Sequence, residues 1–183
     1  MIYVAQGFER FHPLTGYLGE MIESFVGEAD WPAGVEVECV DTGIDTPTGG
    51  RLKLALDGSR IAGGAGRRFC ATYADGVADI DLGALLDFHE RGGREATMTA
   101  VRPETQWGVA DLGEGGEVTG VTEKPRSAHW ITGGFFVFEP AVLERLGADS
   151  VLEREPLEGL ARDGQLGAFR HEGFWDCMDT YKE

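Results

Sequence analysis

The sequence predicts an α/β fold. Three observations carry that expectation. The apolar run Phe69-Cys70-Ala71-Thr72-Tyr73 reads as a buried strand. Leu82, Leu85, Leu86 and Phe88 then recur at helical spacing, with Asp79 or Asp81 placed to cap the helix and Gly92-Gly93 placed to end it. Ala96-Thr97-Met98-Thr99-Ala100-Val101 is a β-rich run that follows at once. Strand, helix and strand in that order form a βαβ unit, which predicts a parallel pair joined by a right-handed crossover.

From the start of the chain, Ile2-Tyr3-Val4-Ala5 reads as a strand that Gly7 ends. Tyr17, Leu18, Met21, Ile22, Phe25 and Val26 mark a helix, closed by Gly27 or by Pro32 and Gly34. Val35 to Val40 alternates and reads as a half-buried strand. Asp41-Thr42-Gly43 and Pro47-Thr48-Gly49-Gly50-Arg51-Leu52 read as a polar, Gly-rich loop able to aim backbone amides and one guanidinium at an anion or a nucleotide edge. Such a string also occurs in ordinary turns. Leu52, Leu54 and Leu56 continue it as a helix or an irregular run, and residues 58–68 read as loop.

The stretch Tyr73-Ala74-Asp75-Gly76-Val77-Ala78-Asp79-Ile80-Asp81 follows the central strand. Ligands bind in loops that leave the carboxyl ends of strands in open α/β sheets. A carboxylate there, beside a glycine that permits close approach, suits a hard divalent cation, and an acidic turn with a helix cap would look the same. Further on, Trp107 to Leu112 and Glu117 to Val121 form a hairpin around Gly115-Gly116. Glu123-Lys124-Pro125 could pair with a hydroxyl and a phosphate, or form a surface ion pair. Gly133-Gly134 permits close approach by a ligand or by a neighbouring strand, and Phe135-Phe136-Val137-Phe138 is a strongly apolar strand. A short helix runs from Pro140 through Leu146, another from Leu152 to Ala161, and a last strand from Leu166 to Phe169.

Composition narrows the function classes. With 183 residues and 42% hydrophobic content the chain can bury a core as one domain, residues 1–183. A net charge of −16 disfavours nucleic acid and anionic membranes as partners, and a phosphate site would need local cations to reverse the field. No apolar run is long enough to cross a bilayer and no leader is recognisable, so the cytoplasm is the expected location. Cys39, Cys70 and Cys177 lack metal-site spacing and read as reduced thiols.

Asp41-Thr42-Gly43, Thr48-Gly49-Gly50-Arg51, Tyr73 to Asp79, Thr99 to Pro103, Glu123-Lys124-Pro125, Gly133 to Phe138, Arg154 to Leu157, His171 to Trp175 and Met178-Asp179-Thr180 resemble, in joint order, the sugar-phosphate nucleotidyltransferases, above all the glucose-1-phosphate cytidylyltransferases. The resemblance implies a Rossmann-like, GT-A-like mixed sheet, mostly parallel, with helices on both faces. The family's first strand, its glycine-rich signature loop and its C-terminal extension have no counterpart in these 183 residues, which implies a domain truncated at both ends. It implies cytidylyl transfer from CTP to glucose 1-phosphate with Mg²⁺ held by Asp75 and Asp179, and a truncated, non-catalytic module is the competing reading. Lys124 would bind the sugar's phosphate and Glu123 its hydroxyls. Thr48, Gly49, Gly50 and Arg51 would lie by the base, Gly133 and Gly134 would let the sugar lie against the backbone, and Gly76, Gly108 and Trp175 would complete the substrate contacts. A homo-oligomer and a role in polysaccharide biosynthesis are further implications. Thr132 stands where the family usually has Asn, Trp107 where it has Phe and Ala74 where it has Gly.

Overall fold

One strand is buried on both faces and organises the molecule. In the computed structural model, which describes residues 2–57, 61 and 66–178, that strand is β10, Ile131–Phe138. Its residues Phe135 to Phe138 are almost wholly inaccessible. A strand covered on both sides reads as an unbroken apolar run, which is how these four residues read in the sequence. β10 lies between β5 (Phe69–Thr72) and β7 (Ala96–Val101), antiparallel to both, and β11 (Leu166–Arg170) lies parallel to β7. The four-stranded order is β11-β7-β10-β5.

The sheet carries helices on both faces. Phe136 and Phe138 point into a core shared with Leu56 of α2 (Thr48–Asp57), with Leu143 of the 3-10 segment Pro140–Arg145, and with Leu157 and Leu160 of α4 (Glu155–Arg162). Phe135 and Val137 point the other way, into a core with Ile80 and with Leu82 and Leu85 of α3 (Leu82–Gly92). The capping of α3 follows the sequence. Asp81 accepts a hydrogen bond from the Ala84 amide at 2.8 Å, and Gly93 closes the helix in the left-handed region at φ 57°. His89, on the apolar stripe, is buried with Nδ1 2.8 Å from Thr97 Oγ1 and Nε2 3.2 Å from Glu139 Oε1.

Four readings are corrected. β5 and β7 run in the same direction but are not paired, because β10 is inserted between them. A βαβ pattern fixes direction and leaves adjacency open when a later strand is this apolar. Residues 2–5 are not a strand: Val4–Gln6 is a single 3-10 turn ended by Gly7 at φ 87°. The Gln6 side chain explains the turn, donating to the Ile80 carbonyl at 2.9 Å and accepting from the Leu82 amide at 2.8 Å. The single strand expected over residues 35–40 is two short ones, β3 (Glu36–Val37) and β4 (Val40–Asp41), parallel to β1 (Arg10–Phe11) and β2 (Leu14–Thr15). Pro13, which has no amide hydrogen to donate, separates β1 from β2 and imposes the same break on the partner. Finally, the string from Thr48 to Arg51 is the first turn of α2, not a loop.

The remaining pieces are peripheral. α1 (Gly19–Glu28) forms as its spacing predicts, yet Met21 and Phe25 stay exposed. β8 (Val109–Leu112) and β9 (Val118–Thr122) make the expected antiparallel hairpin, with Val109 opposite Thr122 and Ala110 opposite Val121. Leu112, Val118 and Val121 are exposed on it. β6 (Gly76–Ala78) and β12 (Trp175–Cys177) pair antiparallel beside the sheet. Cys39 and Cys70 are free thiols.

Gly49 and Gly50 have a packing function that the sequence did not reveal. Both are buried against residues 148–150: a Cβ at Gly49 would stand 2.8 Å from the Ser150 carbonyl oxygen, and one at Gly50 would collide with that of Ala148. Gly50→Ala should therefore lower stability by about 1–3 kcal/mol through overpacking. Gly159→Ala, in α4 with open space around the added methyl, should raise it by about 0.4–1 kcal/mol. Urea denaturation of the two variants checks both signs.

Candidate active site

The site forms where the central strands release their loops. Tyr73, just past β5, donates its amide to the Gly134 carbonyl at 3.1 Å, so the acidic loop leaves the sheet beside the Gly133-Gly134 pair. Gly134 sits at φ 74°, and a Cβ there would come within 3.0 Å of the Tyr73 ring. A Cβ at Gly133 would stand 3.0 Å from Val101 Cγ1 and 3.4 Å from Trp175 Nε1. Neighbouring side chains already account for both glycines, and the register of β10 against β7 shifts at this point.

β12 returns the chain to the acidic loop. Trp175 pairs with Ala78 and Cys177 with Gly76, and the Met178 amide donates to the Asp75 carbonyl at 2.9 Å. Asp75 is exposed at this corner. Asp179, the next residue after Met178, lies outside the described residues, so the expected Asp75–Asp179 pair does too. Among the described residues no group of three or more His, Cys, Asp or Glu side chains is placed to hold a metal ion. Trp175 Nε1 donates to the Gly133 carbonyl at 2.8 Å, and a Cβ on Gly76 would meet both partners at 3.7–4.0 Å. Gly76, Gly133 and Trp175, distant in sequence, are thus one cluster.

A cleft of about 680 Å³ opens beside Trp175, between the segment after β7 and the segment after β9. Lys124 and Trp175 line it, together with Arg102, Trp107, Arg126 and Phe174. Lys124 holds the left-handed region at φ 46°, a conformation that costs a non-glycine residue energy and often marks a functional position. Gly108 and Glu123 are adjacent, since a Cβ on Gly108 would lie 2.9 Å from Glu123 Oε2. His171 closes one wall, with Nε2 3.0 Å from Asp79 Oδ1 and from the Phe174 carbonyl oxygen.

The string Thr48 to Arg51 is joined to this corner through a carboxylate. Thr48 Oγ1 donates to Glu153 Oε2 at 2.9 Å, and the Tyr73 hydroxyl donates to the other oxygen of Glu153. Arg51 is spent on the fold: Nη1 donates to the Thr15 carbonyl at 2.7 Å and to Thr42 Oγ1 at 2.6 Å, and Nη2 to the Ile44 carbonyl at 3.3 Å. Gly49 and Gly50 are sealed under residues 148–150, as described above. Sequence reasoning missed Glu153, Arg102 and Arg126. Three cations at positions 102, 124 and 126 of a strongly acidic chain were the available signal for the last two.

Burial keeps this end of β5 protonated. The Cys70 thiol is pushed up to about 11 by burial. The Tyr73 phenol is raised by burial and then by the Glu153 carboxylate and the charge of Asp75. An unfolded thiol ionises near pH ~8.5 and an unfolded phenol near ~10. Stability is therefore full below about pH 8.5 and falls as pH rises, because the unfolded chain loses protons that the folded chain keeps. The urea midpoint should drop between pH 8 and about 10.5, and Cys70→Ala should flatten the first part of the fall.

Comparisons with known proteins bear on the family of the chain. Residues 56–162 match the nucleotidyl transferase family. The glucose-1-phosphate cytidylyltransferase of Salmonella typhi is 42% identical over 149 residues, which cover 80% of this chain and 56% of that protein. A probable glucose-1-phosphate cytidylyltransferase of Bacillus subtilis is 35% identical over 202 residues, covering 99% of this chain and 77% of that protein. The chain thus spans little more than half the length of the Salmonella relative. The crystal structure of HddC from Yersinia pseudotuberculosis superposes with a TM-score of 0.69 at 16% identity, over 99% of this chain and 78% of that one.

Proposed function

The chain belongs to the nucleotidyl transferase family, and from that we propose that it transfers a cytidylyl group from CTP to glucose 1-phosphate, giving CDP-glucose and pyrophosphate. The observation that carries the proposal is that Trp175, packed with Gly76 and Gly133 beside the Asp75 loop, also lines the cleft that Lys124 lines. The printed names of the Salmonella and Bacillus relatives support CTP and glucose 1-phosphate as the substrates.

In the proposed reaction an oxygen of the sugar's phosphate attacks the α-phosphorus of CTP. The bond from that phosphorus to the bridging oxygen breaks, and pyrophosphate leaves with the electron pair. Such a transfer needs positioning and charge neutralisation, not a protein nucleophile. Lys124 fixes the sugar phosphate as a point charge, and Glu123, beside Gly108, accepts from sugar hydroxyls. Trp175 donates to the Gly133 carbonyl and so fixes the backbone against which the sugar lies. Thr48 acts through Glu153 and Tyr73 to hold the loop that bears Asp75.

Asp75 suits a hard cation: it is an exposed carboxylate at the mouth of the loop, and β12 ends against its backbone. Asp75 with Asp179 would hold Mg²⁺, whose charge would favour the negatively charged transition state. No helix among the described residues is long and apolar enough to cross a membrane.

The test is pyrophosphate release with Mg²⁺, glucose 1-phosphate and each nucleoside triphosphate in turn. CTP should be the preferred donor. Asp75→Asn should lower kcat by at least about a hundredfold. Lys124→Ala should raise the KM for glucose 1-phosphate by about 10–100-fold, the loss of one charge-assisted contact. Glu123→Ala should narrow the preference for glucose 1-phosphate over galactose 1-phosphate. Binding of glucose 1-phosphate without any pyrophosphate release would instead make this chain a sugar-phosphate binding module.

A further inference from the structure

The cleft gathers three basic side chains, more than the single lysine assigned to the sugar's phosphate. Over the whole chain Asp and Glu outnumber Lys and Arg by 32 to 16. In the cleft Arg102, Lys124 and Arg126 stand against the carboxylates of Glu104 and Asp176, and the balance reverses. The other titratable wall residue, His171, is engaged with Asp79.

Two of these cations are gathered at one place. Arg102 lies over the Trp130 ring, with Cζ 4.8 Å from its centroid, and its Nη2 is 3.8 Å from Glu172 Oε1. Arg126 donates from Nη1 to the backbone carbonyl of the same Glu172 at 3.2 Å. Guanidinium groups repel; Glu172 touches both, while the Trp130 ring supports Arg102 and, from Arg170 at 5.4 Å, a further guanidinium.

Most of their hydrogen-bonding capacity is unspent. A guanidinium offers five N–H donors in a rigid fork matched to phosphate and carboxylate oxygens. Among the described residues Arg126 spends one of them, and Arg102 spends none, its buried Nε lacking any partner. Nor does any carboxylate among the described residues lie within 4.0 Å of the Lys124 or Arg126 side chain. The accessible Nη donors of the two guanidiniums are free to bind an anion in the cleft. Trp107 and Phe174, 74% and 58% exposed, offer apolar faces for a sugar ring in the same cleft.

Resting on the reading of this cleft as a sugar-phosphate site, we propose that Arg102 and Arg126 form a second anion position, distinct from Lys124, which selects sugar 1-phosphates bearing a further acidic group. The shared chemistry is a planar or tetrahedral cluster of anionic oxygens, supplied by a second phosphate or by a sugar carboxylate. The acceptor class of this site then extends beyond glucose 1-phosphate itself.

Calorimetric titration of the full chain, in Mg²⁺ and at fixed ionic strength, tests this with glucose 1-phosphate, glucose 1,6-bisphosphate and glucuronic acid 1-phosphate. At least one of the two doubly acidic ligands should bind about tenfold or more tightly than glucose 1-phosphate, and which one identifies the second group as phosphate or carboxylate. Arg126→Gln should abolish that advantage and leave glucose 1-phosphate affinity within about twofold. Lys124→Ala should weaken all three ligands alike. Thermal unfolding of each variant confirms that it is folded, and Arg126→Lys, which keeps charge without the fork, should recover only part of the advantage.

No advantage for either doubly acidic ligand overturns the proposal and leaves the sugar-phosphate reading intact. An equal loss of all three ligands in Arg126→Gln overturns it too, since both poles would then hold one phosphate. A loss of pyrophosphate or CTP binding in Arg126→Gln, with the sugar phosphates unchanged, assigns the arginines to the donor and also overturns it. Failure of all three ligands to bind overturns this proposal together with the reading of the cleft on which it rests.

Discussion

The burial of β10 on both faces is the constraint from which the rest of the structure follows. Phe136 and Phe138 anchor the core under α2 and α4, while Phe135 and Val137 anchor the one under α3. Each of these side chains is worth roughly 1.5–3 kcal/mol when fully removed from water. A strand so apolar cannot occupy an edge, and placing it centrally forces β5 and β7 apart, one on each side. It also decides where the glycines go. Gly133 and Gly134 precede the phenylalanines on the same strand, so they lie level with the loops leaving β5 and β7, where the cleft opens.

Local chemistry was legible in the sequence wherever one residue type had one physical reason. Asp81 and Gly93 delimit α3 because a carboxylate can cap an amide and a glycine can turn left-handed. The hairpin of β8 and β9 and the strand at 135–138 follow from alternation and from apolar content. The failures share a different cause, namely tertiary contacts that override local pattern. Residues 2–5 look like a strand, but Gln6 is committed to backbone groups 74 and 76 residues away. Gly49 and Gly50 look like a ligand cradle, but the backbone of residues 148–150 occupies the space their missing side chains leave.

The candidate site shows the same division. Lys124 and Trp175 were identifiable through family resemblance, and both line the cleft. Arg102 and Arg126 were not singled out, because a lone arginine in sequence carries no direction. Only the fold shows that Glu172 draws the two together. Electrostatics make that gathering consequential. A chain with net charge −16 repels phosphates at long range, so any phosphate it binds must be met by cations at close range in a confined space.

Arg51 bears on which positions can drift and which cannot. Its guanidinium grips the main-chain carbonyls of Thr15 and Ile44, groups that every residue type possesses, and reaches one side chain, the hydroxyl of Thr42. Substitution at residue 15 or 44 therefore leaves an acceptor in place, whereas substitution at residue 51 removes the donor fork that spans both. Lysine, with a single point charge, cannot replace it. Across diverged copies of this domain, the physics expects variety at the gripped positions and constancy at the one that grips.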